Sequence, residues 1–444
     1  MPESKLNLEG RRVERWKWLY PGMGVKRWII VVIIGTLFFS LGITLLLNTR
    51  VLAFLEDALI SFLTYILPGS ELLVGVLLIL IGFLIAGLGM RNIVHSLISA
   101  LPEAKANNLV DVVYRKRTLE KGPHIVVIGG GTGLSTLLRG LKQYTSNITA
   151  IVTVADDGGS SGRIREELGI LPPGDIRNTL VALADTEPLM EKLFQYRFSW
   201  GEGLSGHSFG NLFIAAMTDI TGDFEESIRA FSKVLAVSGQ VLPSTLSPVK
   251  LKAVYRDGSE IIGESQIPRP GQTIERVYTI PDEAEPLPEA LEAIANADVV
   301  VLGPGSLYTS IIPNLLVNSI CEALVNTRAT KVYVCNVMTQ PGETDNMRAS
   351  DHVAAILKHA NHQPIIDCAL FNNERLTTNQ LRKYRKQKAY PVNLDLDKVR
   401  ELGVEPICAP LLNQSNLVRH DSERLAKEIM KIAWRAKENH KKLI

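Results

Sequence analysis

Two long apolar runs without a charge stand near the start of the chain, Trp28 to Leu47 and Leu72 to Met90. Each has about the 20 residues a helix needs to cross a bilayer core. Soluble core helices rarely lack polar residues on every side. The pair therefore predicts a two-helix transmembrane hairpin over 28–90. Arg11, Arg12, Arg15, Lys17, Lys26 and Arg27 precede it, and Arg91, Lys105, Arg115, Lys116 and Arg117 follow it. The connector sets Arg50 against Glu56, Asp57 and Glu71. Positive flanks belong inside, so both ends are expected in the cytosol. The apolar connector from Val51 to Leu67 suits the outer interface. No small-residue cleavage site follows the first run, which argues against a signal peptide. Residues 1–27 then form a basic cytosolic N-terminus, and 91–122 a juxtamembrane linker.

From His124 the pattern changes to short apolar runs alternating with helical spacing. Ile125 to Ile128 is a β-rich run ending in glycines, and Leu134, Leu137, Leu138 and Leu141 follow at helical intervals. Ile148 to Ala155 predicts a second strand, and helical stretches are expected over 174–197 and 209–236. Asp298 to Leu302 and Lys331 to Cys335 predict two more buried strands. Strands alternating with helices over this length predict an α/β fold with a doubly wound, mostly parallel sheet over 123–444. Between Val249 and Ile280, alternating residues around Asp257-Gly258 predict a small β-hairpin excursion. Asn372 to Val392 is polar and basic and is expected to open a C-terminal subregion. Ser422 to Lys442 predicts a solvated closing helix.

Composition adds little to this picture but excludes some classes. Lys and Arg number 48 against 46 Asp and Glu, a net charge of +2, so no nucleic-acid partner is expected. Cys321, Cys335, Cys368 and Cys408 show no C-x-x-C spacing, which argues against a zinc site or a disulfide framework. Buried free thiols in a reducing compartment are the simplest expectation.

The candidate chemistry lies in six polar, glycine-rich loops. Gly129-Gly-Gly-Thr-Gly133 joins a strand to a helix, where Gly130, Gly131, Thr132 and Gly133 allow close approach of a phosphate to free N–H groups. The dinucleotide fingerprint is not met, because its last glycine falls on Leu134. No Lys-Ser/Thr pair makes it a P-loop, and a tight packing turn is the alternative. Asp156-Asp-Gly-Gly-Ser-Ser-Gly162 ends the second strand. There Asp156 or Asp157 can bond a sugar hydroxyl or hold a divalent cation such as Mg²⁺, and Ser160 and Ser161 can donate to phosphate. An Asx-turn explains part of that loop. In Pro173-Gly-Asp-Ile-Arg-Asn178, Asp175 is placed as an N-cap, with Arg177 and Asn178 able to face a ligand. Gly206-His-Ser-Phe-Gly-Asn211 offers His207 and Asn211, although a lone histidine is more often structural. Gly303-Pro-Gly-Ser-Leu-Tyr-Thr309 repeats the logic of the first loop with Gly303, Gly305 and Ser306. Asn336 to Thr344, with Asn336 and Thr339, follows another strand.

The strings IGGGTGLSTLLRGL, VTVADDGGSSGRIR, PPGDIRN, GHSFGN, GPGSLYTSIIPNLL and VYVCNVMTQPGETD stand in this order. Together they resemble the gluconeogenesis factor family of bacteria, the YvcK-like proteins. That family is related to the 2-phospho-L-lactate transferases (CofD-like). The resemblance runs from about Pro123 to about Met430. It implies a Rossmann-like fold and a nucleotide-sugar ligand, UDP-N-acetylglucosamine. It also implies a role in carbon metabolism, cell-envelope synthesis and cell shape (morphogenesis). Its residue pattern implies a ligand cradle of Gly130, Gly131, Thr132 and Gly133 with Asp156, Asp157, Asn178, His207, Asn211 and the Gly303 loop. Tyr384, able to stack on a uracil, and Arg419, able to pair with a diphosphate, complete it. The N-terminal hairpin is the departure, since the family's usual members are soluble cytosolic proteins.

Two functions follow. The first is a non-catalytic nucleotide-sugar sensor, anchored in the cell membrane with its binding domain in the cytoplasm and signalling to envelope-synthesis or regulatory proteins. The second is a metal-dependent transferase of a phosphate-linked group, with Asp156, Asp157 and Asp175 as the metal-holding acids. An NAD-dependent oxidoreductase has only fold analogy behind it. Homo-oligomerisation is compatible with either function.

Overall fold

The computed structural model describes residues 109–185, 188–269, 271–413 and 417–443, with a few isolated positions between 36 and 62. The predicted transmembrane hairpin and the basic N-terminus lie outside the described residues, apart from those isolated positions, and so does most of the linker. Among the described residues no helix is long and apolar enough to cross a membrane. The chain divides into Met1–Thr118 and Leu119–Ile444, and the second unit carries the predicted α/β fold.

In chain order come α1 (Leu109–Glu120), β1 (Ile125–Gly129), α2 (Gly131–Leu141), β2 (Ile148–Val152), α3 (Gly159–Leu168), α4 (Gly174–Leu183) and α5 (Pro188–Gln195). Next are α6 (Phe209–Thr221), α7 (Phe224–Val234), β3 (Gln240–Pro243), β4 (Lys250–Tyr255), β5 (Glu260–Ile262), β6 (Ile274–Ile280), α8 (Pro288–Ala295) and β7 (Val299–Leu302). A π-helical turn, Leu307–Ile311, runs into α9 (Ile312–Leu315), followed by α10 (Ile320–Asn326), β8 (Thr330–Val334), α11 (Ala349–His359) and β9 (Cys368–Asn372). The chain closes with α12 (Thr378–Lys386), α13 (Leu396–Glu401), β10 (Glu405–Ala409) and α14 (Ser422–Leu443).

Seven strands form a parallel sheet in the order β10-β9-β8-β7-β1-β2-β3. Its central strands β1 and β7 are buried at every residue, as strands covered on both faces must be. The order reverses between β1 and β7, and in such sheets ligands bind in the crevice at the carboxyl ends beside that reversal. Ile128 pairs with Leu302 and Gly129 with Val152, so the glycine loops after β1 and β7 leave the sheet at one level.

Several boundaries differ from the sequence expectation. The strand expected to run to Ala155 ends at Val152. The stretch 174–197 is two helices, because Ala184 turns extended after α4. The stretch 209–236 is also two. Gly222 ends α6 in a left-handed conformation, and Asp223 starts α7 by accepting from the Glu226 N–H at 2.7 Å. The excursion is a three-stranded antiparallel sheet, β5-β4-β6, rather than a hairpin. The Asp257-Gly258 turn joins β4 to β5, and β6 adds the third strand on the other side of β4. The region after Asn372 builds no separate fold, since β10 pairs with β9 in the main sheet. The closing helix is not merely solvated: Leu425, Ala426, Ile429, Met430 and Ala433 of α14 are buried. Of the four free cysteines, Cys335 and Cys368 are buried, whereas Cys408 is exposed.

Candidate functional site

The β1 and β7 loops touch backbone to backbone at the sheet reversal. A Cβ on Gly133 would stand 2.6 Å from the Pro304 carbonyl oxygen, and one on Gly305 would stand 3.1 Å from the Gly130 oxygen. Gly130 at the N-cap of α2 has no side chain to cap it, so the first-turn N–H groups beyond Gly131 are left for an anion. Gly131 holds φ of 69°, and its N–H donates to the carboxylate of Asp175. The β8 loop meets the β7 loop through amides: Asn336 Nδ2 donates to the Gly305 oxygen at 2.7 Å, and Gln340 Nε2 to Ser306 Oγ at 2.7 Å.

These loops wall a cleft of about 330 Å³. Predicted residues that line it are Gly130, Gly131, Thr132 and Gly133 from the first loop, with Gly305 and Ser306 from the second. Asn336, Thr339, Tyr384 and Arg419 line it as well. Gly303 lies behind the lining, its N–H donating to the Ile128 oxygen at 2.8 Å. Sequence reasoning missed Ser310, Gln340, Met338 and His420, which also line the cleft. Gln340 and Met338 stand inside a string already singled out, and His420 follows Arg419. Tyr384 is fixed by its hydroxyl, which accepts the Val418 N–H at 2.9 Å.

The remaining predicted residues gather beyond the end of β2, outside the cleft lining. Asp156 does form an Asx-turn, its Oδ1 accepting from the Gly158 N–H at 2.9 Å, and Asp157 Oδ1 accepts from the Ser265 N–H at 2.8 Å. Asp175 is not an N-cap: Pro173 holds that position, and Asp175 lies in the first turn, bonded across to Gly131. Arg177 is buried, donating to Ser208 Oγ and to Asn178 Oδ1, both at 2.7 Å, so this pair serves a packed network. His207 is buried with Nδ1 3.1 Å from Ser160 Oγ, and Asn211 Nδ2 donates to the oxygens of Ser160 and Ser161. A structural histidine accounts for that geometry. Among the described residues no group of three or more His, Cys, Asp or Glu side chains has the arrangement to hold a metal ion.

The acids here repel one another. Burial, then the nearby Asp156 charge, raises Asp175 to about 7, and burial with Asp156, Asp175 and Asp157 raises Glu264 to about 8. Burial also raises Glu343 to about 7, although N–H donors of Tyr308 and Thr309 oppose it. Glu264 escaped the sequence analysis because it stands in the loop after β5 of the small sheet, and Glu343, although inside the Asn336 to Thr344 loop, was not singled out there. A carboxyl whose folded pKa is raised binds more protons folded than unfolded, so its stabilisation is full at low pH and is lost as pH rises through the folded value. Each such group contributes at most about 1.4 kcal/mol per pH unit. The melting temperature is therefore expected to fall between about pH 5 and about pH 8.5, with Asp175→Asn and Glu264→Gln flattening the slope. A profile equally steep in both variants would assign the protons elsewhere.

A seven-stranded parallel sheet with glycine loops converging at its order reversal defines a Rossmann-like α/β protein. The family model 2-phospho-L-lactate transferase CofD matches residues 125–412. The gluconeogenesis factor of Halalkalibacterium halodurans is 54% identical over 311 residues, 70% of this chain and 96% of its own. That of Bacillus subtilis is 52% identical over 305 residues, 68% of this chain and 96% of its own. The crystal structure of a UPF0052-family protein from Bacillus halodurans superposes with a TM-score of 0.68 at 53% identity, covering 70% of this chain and 99% of that one. The chain belongs to the gluconeogenesis factor family. A relative from Nostoc sp. is 48% identical over 437 residues, 97% of this chain and 95% of its own, so its alignment reaches well into the N-terminal segment. That segment is therefore not peculiar to this chain.

Proposed function

We propose that the cleft binds a nucleotide-sugar, UDP-N-acetylglucosamine, and that the protein acts as a non-catalytic regulator of carbon metabolism, envelope synthesis and cell shape. One observation carries this: the cleft lining joins two distinct chemistries. The first-turn N–H groups of α2 beyond Gly131, with the glycine loops, suit a diphosphate. Tyr384, beside the apolar Met338 and Val418, suits a base, with Arg419 close by as a phosphate partner. The gluconeogenesis factor name carried by relatives supports the metabolic part. The paired apolar runs near the N-terminus support a membrane tether with the binding unit in the cytoplasm. Topology reporters fused at residues 10, 60 and 120 test it, and a cytosolic signal from residue 60 would remove the hairpin.

A second function, transfer of a phosphate-linked group, is favoured by the CofD model match and by Asp175 and Glu264. Both acids are poised near neutrality, as proton-transferring groups are, and Asp175 stands at the edge of the Gly130 loop. A Cβ on Gly130 would stand 2.5 Å from Asp175 Oδ2. A single experiment separates the two. UDP-N-acetylglucosamine, with and without Mg²⁺, should raise the melting temperature by mass action and be recovered unchanged. A product appearing after prolonged incubation with candidate acceptors would favour the transferase. No shift with any nucleotide-sugar would remove both.

A further inference from the structure

Between Arg375 and Lys388 the chain carries six cations, Arg375, Arg382, Lys383, Arg385, Lys386 and Lys388, and no acid. Setting these six of the 48 Lys and Arg aside leaves 42 against 46 Asp and Glu, so the net positive charge comes from this one stretch. All six residues are exposed, and none is held by an ion pair among the described residues. Arg400 and Arg424, by contrast, are paired with Asp397 and Glu374. Most of the stretch is α12, which its own residues start. Thr377 Oγ1 accepts the Gln380 N–H at 3.3 Å, and Gln380 Oε1 accepts the Thr377 N–H at 3.0 Å. Helical spacing gives α12 two faces. Tyr384, with Gln387 just past the helix end, lines the ligand cleft. On the other side Thr378, Leu381, Arg382, Arg385 and Lys386, three and four residues apart, line a separate groove of about 550 Å³. No residue of α12 is buried, so nothing in this unit covers the basic face.

We propose that α12 docks on the anionic phospholipid surface of the membrane, with Arg382, Arg385 and Lys386 seated on headgroup phosphates. The inference takes from the tether proposed above only the nearness of a bilayer. A cluster of Lys and Arg on one helix is the pattern that anionic lipid attracts. Such attraction fades beyond about 8 Å at physiological salt, so it serves a surface beside which the chain is already held. The composition of the face disfavours other partners. A protein interface is anchored by apolar or aromatic side chains at its centre, and no large apolar side chain of α12 stands exposed. A single nucleic-acid strand stacks its bases on aromatic rings, and the one ring of α12, Tyr384, packs against the Met338 and Val418 cluster instead. The neighbouring Tyr384 face makes the helix a shared wall between the ligand cleft and the docking surface.

Lysine footprinting of the full-length protein tests the proposal, with vesicles of phosphatidylcholine alone or with about one-third phosphatidylglycerol. Acetylation of Lys386 by an uncharged ester is read by mass spectrometry against the exposed Lys233 of α7 in the same molecule. The Lys386 to Lys233 ratio should fall about fivefold with the anionic vesicles and recover in about 0.5 M NaCl. Arg382→Gln with Arg385→Gln keeps the reporter lysine and good helix formers at exposed positions, and it should bring the ratio back toward the neutral-lipid value. An equal ratio in the two lipids would overturn the proposal, as would undiminished protection in the folded double variant. So would protection given by polyuridylate or polyglutamate but not by anionic vesicles, which would assign the face to a nucleic acid or an acidic protein. Should the double variant fail to fold, the lipid and salt comparisons on wild type decide the matter alone. Flotation with neutral vesicles reads the tether separately. A chain that floats only with anionic vesicles would remove the tether and keep the docking face, and one that floats with neither would remove both.

Discussion

Gly131→Val is expected to abolish binding of UDP-N-acetylglucosamine while leaving the protein folded. Gly131 opens α2 with φ of 69°, where a side-chain-bearing residue costs on the order of 1–3 kcal/mol and a β-branched one more. Space is not the obstacle, since the first atom a Cβ would meet is Ser310 Oγ at 3.7 Å. The obstacle is conformation. If valine keeps the positive φ, the strain remains and its methyl groups stand over the cleft that Gly131 lines. If the backbone turns to negative φ, the Gly131 N–H leaves the Asp175 carboxylate and the first turn of α2 loses its aim. Either route blocks or misaligns the first-turn N–H groups proposed to hold the diphosphate. A loss of affinity of at least about 100-fold is expected, near 2.8 kcal/mol. Titration calorimetry reads the affinity, and far-UV circular dichroism reads the fold. A folded variant that binds as wild type would move the ligand away from the β1 loop.

The strand-end loops were legible because sequence alone marks them. A run such as Ile125-Val-Val-Ile128, then glycines, then leucines at helical spacing has one economical explanation. What sequence hid is pairing. That β7, and not β3, lies beside β1 is a tertiary fact, and it decides that the Gly303 loop meets the Gly129 loop. The same hidden geometry divides the predicted residues. Asp156, Asp157, Ser160, His207 and Asn211 carry the residue types of a ligand site, yet they lie beyond β2, where the two aspartates accept from the Gly158 and Ser265 N–H groups and Ser160 joins His207 to Asn211. Asp175 belongs to both groups, because its carboxylate reaches from α4 to the Gly131 N–H, a contact no local pattern announces. Glu264 enters from the loop after β5, and only the fold of the small sheet brings its charge near Asp156 and Asp175.

Gly140→Val should be the most destabilising of the substitutions considered, with Gly140→Ala next. On an exposed helix, replacing glycine by alanine stabilises by about 1 kcal/mol, so propensity alone predicts a gain at this position in α2. Packing predicts the opposite and should win. A Cβ on Gly140 would stand 2.0 Å from the Ser422 carbonyl oxygen and 2.7 Å from the Cβ of Ala426. The first is backbone at the start of α14, held by Asp421, whose Oδ1 accepts the N–H groups of Glu423 and Arg424. It cannot swing aside as a flexible side chain would. Over-packing costs about 1–3 kcal/mol where neighbours can adjust. Here adjustment means lifting α14, whose Leu425, Ile429 and Met430 are buried and contribute about 1.5–3 kcal/mol each. Gly140→Val is therefore expected to lower unfolding stability by about 3 kcal/mol or more, and Gly140→Ala by about 1–2 kcal/mol, read from denaturant midpoints. Because Arg419 and His420 stand just before α14, ligand affinity should fall together with stability in the valine variant. A midpoint raised by Gly140→Ala would mean that α2 and α14 do not approach this closely, and that the C-terminal wall of the cleft is supported by something else.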